Sequence, residues 1–201
     1  TEMIIPERVT SIGRYAFRSC INLNKVLIPA SVTDIEDSIF FETPNLKTAG
    51  AVGTGCDIEF AWETRIPANA FSASTIESIT IPDGITNIGC HALSFNENLK
   101  KVIIPASATT IEDVFMVNCP NLKTAGYLGS GCNIEFGWTM IYEKAFASSS
   151  IESVTIPDVV YHINHLAFYN CQNLSSVNIP ESVTYIGHHA FWDTVYKEDG
   201  E

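Results

Sequence analysis

The residues of this 201-residue chain best able to do chemistry are six cysteines and five histidines. Thiols close in space form disulfides, thiols with imidazoles bind zinc, and a cysteine or serine beside a base becomes a nucleophile. Each chemistry needs its own spacing, and the sequence offers none of them. Cys20, Cys56, Cys90, Cys119, Cys132 and Cys171 include no C-x-x-C pair and stand in no zinc-type spacing to His91, His162, His165, His188 or His189. The many serines include no G-x-S-x-G elbow. Gly53-Thr54-Gly55 and Gly129-Ser130-Gly131 lack the lysine that completes a phosphate loop, so they read as tight turns. Asp34, Glu36 and Asp37, echoed by Glu112 and Asp113, lack a calcium-loop pattern and read as a solvated face. The expectation is no enzyme: no catalytic residue, no metal ligand and no cofactor.

Charge narrows the partners. Twenty-three acidic against 11 basic side chains give a net charge of −12, which removes the cationic field that draws a protein onto phosphate, so nucleic acid and anionic lipid are poor partners. An apolar content of 46% is that of a chain that folds. No apolar run approaches the ~18 residues of a membrane span, and no basic segment followed by an apolar stretch opens the chain, so neither membrane insertion nor a signal peptide is expected of this segment.

What positions these residues is a repeat. The phrase apolar-x-Ile-Pro begins at Met3, Val26, Ile79, Val102, Val154 and Val177. Spacings of 23 residues alternate with spacings of 52 or 53, and degenerate strand starts at Ala49 and Ala125, each inside a PNLKTAG phrase, divide the long ones. About eight 23-residue coils result, two of them lengthened to 29–30. Other slots fall into line, with Ile12, Ile35, Ile88, Ile111, Ile163 and Ile186 nine residues after the strand start. Fourteen residues after it come Phe17, Phe40, Leu93, Met116, Phe168 and Phe191, with Phe71 and Phe146 in the same role in the long coils. A unit this short cannot close a core alone, but stacking each strand about 4.8 Å from its neighbour's builds one continuous interior. The predicted fold is an α/β solenoid, a right-handed superhelix about 38 Å long with a parallel sheet on one side and short helices on the other. Residues 14–20 read as one or two helical turns. Within Lys25-Val26-Leu27-Ile28, alternation sends Val26 and Ile28 inward and Lys25 and Leu27 outward, and the proline that follows ends the strand.

The slots also decide the cysteines and histidines. Cys20, Cys119 and Cys171 share one slot in non-adjacent coils, the nearest two about 10 Å apart at regular stacking. That is beyond disulfide reach, so they read as small buried hydrophobes. His165 and His188 occupy Arg14's slot in adjacent coils, an exposed, mutually repelling pair near neutral pH. A larger duplication overlies the repeat: PNLKTAGAVGTGCDIEFAW is answered by PNLKTAGYLGSGCNIEFGW three coils later.

The unit IPERVTSIGRYAFRSCINLNKVLIP resembles that of the BspA-like leucine-rich repeat family of bacterial surface proteins. The resemblance rests on Ile5-Pro6, Val9-Thr10-Ser11-Ile12-Gly13, Ala16-Phe17, Cys20 and Leu23, with close copies from Ile179-Pro180 to Phe191. It implies a leucine-rich-repeat fold and an extracellular location on the bacterial cell surface. It also implies a non-catalytic role in recognition or adhesion to host matrix or other cells. Residues 1–201 are expected to be a single solenoid domain, a fragment of a longer surface protein; neither end shows a polar capping unit, so the piece is expected to be excised from a longer array, capped by non-repeat neighbours, or self-associated.

Two features could bind. The outward face of the sheet carries a middle row of Ile4, Leu27, Gly50, Thr80, Ile103, Gly126, Thr155 and Asn178, flanked by residues that include Lys25 and Lys101. Ile4, Leu27 and Ile103 are large apolar residues expected to face solvent, as anchors for a host or matrix protein, another cell surface, or a glycan. The second feature is the pair of insertions. Phe60 and Trp62, with Phe136 and Trp138, either present aromatic rings on a protruding loop or fold back over the extra core of a long coil. The alternative to recognition is a passive spacer that displays other domains.

Overall fold

The short apolar-x-apolar segments form strands because alternate side chains of each find a core on one side only, and the stacking supplies it. The computed structural model describes residues 1–112 and 115–195. Strands Glu2–Ile4, Lys25–Ile28, Ser78–Thr80, Lys101–Ile104, Ser153–Thr155 and Ser176–Asn178 all run parallel in one ten-stranded sheet. Val26 and Ile28 are buried, as alternation requires. Behind the sheet, Ile12 pairs with Ile35, Ile66 with Ile88 and Ile88 with Ile111, and Ile141 with Ile163 and Ile163 with Ile186, in three shorter parallel sheets. Ile12 and Ile35 belong to one hydrophobic core that runs through to Ala190.

The sheet has ten strands where the repeat predicts eight. Each insertion contributes a strand of its own, Ile58–Phe60 and Ile134–Phe136. Ile58–Phe60 lies between Lys25–Ile28 and Thr48–Ala51, so the chain passes one place, lays down Thr48–Ala51 and turns back to fill the gap. The second insertion repeats this between Lys101–Ile104 and Thr124–Tyr127. Parallel neighbours normally need a crossover of a dozen or more residues. Residues 52–57 manage with less because the strands are only three or four residues long. The return runs over the outer face of the sheet, whereas ordinary coils pass behind it. Reversing both the direction of travel and the face crossed leaves the hand of the connection unchanged.

The predicted short helices are corrected: no helix is present among the described residues. Residues 14–20 and their counterparts are tight turns carrying two left-handed residues four apart, such as Tyr15 and Ser19, Ser38 and Glu42, and Leu166 and Asn170. Amides that a helix would turn toward its own chain point to the next coil, Phe17 N–H to Ile39 O at 2.9 Å and Phe168 N–H to Ala190 O at 2.8 Å. The physical reason is width. A helix about 10 Å across does not stack at the ~4.8 Å strand spacing without splaying the coils, and a flat turn does. The aromatic slot stacks accordingly, Phe146 on Phe168 at 5.1 Å and Phe168 on Phe191 at 5.0 Å.

Between Ile35 and Ile66 the rear ladder breaks. Glu36 and Gly89 each donate an N–H to the isoleucine carbonyl one coil earlier, but Pro67 holds that position in the third coil and has none to give. A cleft of about 420 Å³ opens there, lined by Ala30, Thr33, Trp62, Glu63, Thr64, Arg65 and Pro67.

Candidate functional site

The two return loops divide the outward face into separate parts. Gly53 and Gly55 adopt φ of +85° and +78°, and Gly129 and Gly131 adopt +85° and +80°, conformations that favour glycine and let the chain double back. Under each loop the outward side chain of the extra strand is a glutamate. Glu59, only 4% exposed, accepts from Gly53 N–H at 3.1 Å, Gly55 N–H at 2.8 Å and Lys25 Nζ at 3.3 Å. Glu135 accepts from Gly129 N–H at 2.9 Å, Gly131 N–H at 3.0 Å and Lys101 Nζ. The two amides form a small anion nest. The Gly53 amide, helped by Gly55 and Lys25, holds the Glu59 carboxyl below the usual carboxylate range against the opposing effect of burial. For Glu135 the leading cause is the Lys101 ammonium, followed by the Gly129 amide.

The loops also explain Gly50 and Gly126. A Cβ on Gly50 would lie 3.0 Å from Cys56 Sγ and 3.1 Å from Thr54 Oγ1, and one on Gly126 would lie 2.9 Å from both Cys132 Sγ and Ser130 Oγ. The chain returns directly over them. At the far end of each loop Asp57 and Asn133 tie down the neighbouring strand, accepting from Lys47 N–H and Thr48 N–H, and from Lys123 N–H and Thr124 N–H.

Across the sheet the middle row therefore reads Ile4, Leu27, Glu59, Gly50, Thr80, Ile103, Glu135, Gly126, Thr155, Asn178, with the loops covering the two Glu–Gly pairs. The candidate residues fall into three pairs separated by two ridges. Ile4, 64% exposed, lies beside half-buried Leu27, and exposed Thr155 lies beside exposed Asn178. The central pair, Thr80 and Ile103, forms the floor of a groove of about 330 Å³, walled by Ala51 and Thr54 from one ridge and Leu128 from the other, with Pro82, Asp83 and Pro105 at its end. Exposed Val52, Tyr127 and Leu128 make the ridge tops apolar. Lys25 and Lys101 flank the row, but their ammonium groups are engaged by Glu59 and Glu135.

The insertions do not protrude as aromatic loops. Phe60, Trp62, Phe136 and Trp138 are all buried in the core, because the strand that carries each phenylalanine is part of the sheet and turns its ring inward. Phe60 packs on Trp62 at 4.9 Å and on Phe71 at 5.6 Å, filling the place where the aromatic stack widens.

The remaining candidates are dispersed. Cys119 and Cys171 are buried, and burial pushes each thiol up to about 11. Cys20 is half-buried, and Cys20, Cys56, Cys119, Cys132 and Cys171 form no disulfide. Asp34, Glu36 and Glu112 make structural bonds, Asp34 Oδ2 to Ser11 Oγ, Glu36 to Arg14 N–H, and Glu112 to both Cys90 N–H and Arg65. Asp37 pairs with Arg14, while Asp113 lies outside the described residues. Glu59, Glu135, Thr54 and Leu128 went unrecognised as parts of the outer face. The signal was there in Ile-Glu-Phe, which has the in-out-in pattern of Val26-Leu27-Ile28 without its proline.

The BspA type leucine rich repeat region, in six copies, matches residues 1–52, 64–135 and 139–198. The segment 53–63, which carries the first return and its extra strand, falls between matched stretches. Among solved structures, a leucine-rich repeat protein from Eubacterium ventriosum is 20% identical with a TM-score of 0.43, over 98% of this chain and 66% of that one. This chain thus spans a little under two thirds of that protein. A leucine rich cell surface protein from Faecalibacterium prausnitzii is 22% identical with a TM-score of 0.44, over 96% of this chain and 70% of that one. No curated protein matches.

Proposed function

Because the chain belongs to the BspA type leucine-rich repeat family, we propose that it is a non-catalytic recognition module of a bacterial cell surface that binds a protein or glycan on the outward face of its sheet. The observation that carries this reading is the groove over Thr80 and Ile103. Two loops fixed by buried glutamates wall a floor with one large apolar side chain and one hydroxyl, a rigid concave surface of mixed polarity of the kind that holds a partner without reorganisation. Leu27 with Ile4, and Thr155 with Asn178, extend the contact on either side.

The test is a screen of matrix proteins and glycans against the wild type and the Ile103→Glu variant, with circular dichroism to verify the fold. Binding that disappears in the folded variant supports the groove, and undiminished binding moves recognition elsewhere. A second reading, the passive spacer, is favoured by the engagement of Lys25 and Lys101 inside the fold, which leaves the face few uncommitted charges. No ligand in the whole screen would favour it.

A further inference from the structure

The groove over Thr80 and Ile103 is lined by one charged side chain, Asp83, at the end where the two floor strands leave the sheet. Asp83 is exposed and makes no hydrogen bond or ion pair among the described residues. Its place is fixed all the same. Gly84 N–H donates to Ser107 Oγ of the next coil at 3.2 Å, and Ile85 N–H returns to Pro82 O at 3.3 Å. The pairing of Thr80 with Ile103 sets Ala106 opposite Asp83, so the next coil offers no charge at the matching position.

The cations of the sheet are already engaged. Lys25 is held by Glu59, Lys101 by Glu135 and Lys123 by Glu152, while Lys47 and Lys100 share Glu77. Arg8 follows the first strand, four strand places from the groove, or about 19 Å. An anionic partner therefore meets neutralised lysines on a chain of net charge −12. A cationic partner meets an unpaired carboxylate and an attractive field, which speeds encounter and weakens with salt.

Resting on the reading that this groove is the binding surface, we propose that its occupant is a basic side chain of a partner protein, an arginine or lysine, laid along Ile103 with its cationic end on Asp83. Ile103, Leu128, Pro82 and Pro105 supply the apolar contact that the aliphatic stem of such a side chain covers while its head stays polar. The Asp83 carboxylate accepts the charge-assisted bonds of the head. Thr80 Oγ1 makes no bond within the described residues, and Thr54 Oγ1 already donates to Ala51 O at 2.6 Å, so both hydroxyls are left as acceptors for a donor-rich group. A neutral sugar would bond to the same hydroxyls but leave the Asp83 charge unanswered. The volume, about 330 Å³, stands at the low end of ligand pockets and suits one or two side chains rather than a sugar chain.

The experiment is an NMR titration with a capped glycine peptide carrying one central arginine, and with its counterpart in which citrulline, a neutral isostere, replaces the arginine. The arginine peptide should shift the Thr80, Asp83, Ile103 and Leu128 amides saturably, and the citrulline peptide should bind about fivefold more weakly or worse. Asp83 makes no bond in the fold, so Asp83→Asn should fold as the wild type does and lose the preference for arginine. No saturable shift, equal binding of the two peptides, or a preference that survives Asp83→Asn would overturn the proposal. So would shifts spread equally to the amides of exposed Glu97 and Asp158, which would mark attraction by net charge alone. The screen of matrix proteins and glycans separates this inference from the reading beneath it. A partner lost in Ile103→Glu but kept in Asp83→Asn leaves the groove as the binding surface and removes the basic occupant, whereas a partner kept in both removes the groove as well.

Discussion

The thiol of Cys171 donates to the carbonyl oxygen of Phe146, one coil earlier, across 2.8 Å. Its slot does the same in other coils with other chemistry: Thr43 Oγ1 donates to Phe17 O at 2.8 Å, Asn96 Nδ2 to Phe71 O at 2.9 Å, and Cys119 Sγ to Leu93 O at 3.1 Å. What the slot conserves within this chain is a small buried donor. The tight turn that ends at Phe17, Phe71, Leu93 or Phe146 leaves that residue's carbonyl aimed into the interior, and a buried carbonyl without a partner costs about 1–3 kcal/mol.

Cys171→Ala is therefore expected to lose about 1–3 kcal/mol in urea denaturation, and Cys171→Ser, which keeps the donor, distinctly less. With thiols pushed up to about 11, Cys119 and Cys171 should resist alkylation in the native protein at pH 8, while half-buried Cys20 reacts sooner. Alkylation of Cys171 as fast as Cys20 in native protein would contradict the packing described.

Glu59 and Glu135 set the acid limit of the outer face. A carboxyl lowered on folding adds stability that is fully present above its unfolded value and is lost as pH falls through the lowered one. Both loops should stay closed from neutral pH down to the ordinary glutamate range near about 4.3, then loosen below it. The readout is protection of the Gly53, Gly55, Gly129 and Gly131 amides. Glu59→Gln keeps an acceptor but not the charge, so it should weaken the first loop at neutral pH and abolish its acid transition, leaving the second loop as it was.

How much of this was legible beforehand divides by physical cause. The strand slots and the parallel stacking follow from periodicity, because Val26, Ile79 and Val102 can be buried together in only one register. The turns at residues 14–20 were misread as helix because their spacing of apolar residues suits either conformation, and the stacking distance that decides between them belongs to the assembled coil. The extra strands were missed for a related reason. Ile58 and Ile134 come after Ala49 and Ala125 in sequence but before them in the sheet, and a repeat read in chain order has no place for a backward step. The division of the outer face into three pairs follows from that step, so it was hidden as well.

Glycines under the coils should be less replaceable than glycines under the loops. A Cβ at Gly89 would stand 2.5 Å from Ala68 N and 2.8 Å from its Cα, backbone atoms locked in the neighbouring coil. At Gly50 the obstacles are the side chains of Cys56 and Thr54 on a surface loop that can lift. Gly89→Ala should cost about 3 kcal/mol or more, at the upper end of overpacking penalties. Gly50→Ala should cost about 1 kcal/mol, with the effect confined to exchange in residues 52–57. Equal global losses would mean that the first return loop is as rigid as the core.

The two insertions serve as each other's control, because they build the same wedge and differ in the hydrogen bonding of its tryptophan. Trp62 Nε1 donates to Val32 O at 2.7 Å, whereas Trp138 Nε1 is buried with no partner. Both indoles pack on a phenylalanine of the extra strand, Phe60 at 4.9 Å and Phe136 at 5.1 Å, so replacing either by phenylalanine removes similar apolar surface. The difference lies in the polar ends. Trp62→Phe breaks a bond and strands the Val32 carbonyl beside the break in the rear ladder, while Trp138→Phe removes a donor that was already unsatisfied. Trp62→Phe should thus be the more destabilising by about 1–2 kcal/mol in urea denaturation at equal m-value. A larger loss at Trp138 would show that its ring, rather than its nitrogen, decides the packing of the second wedge.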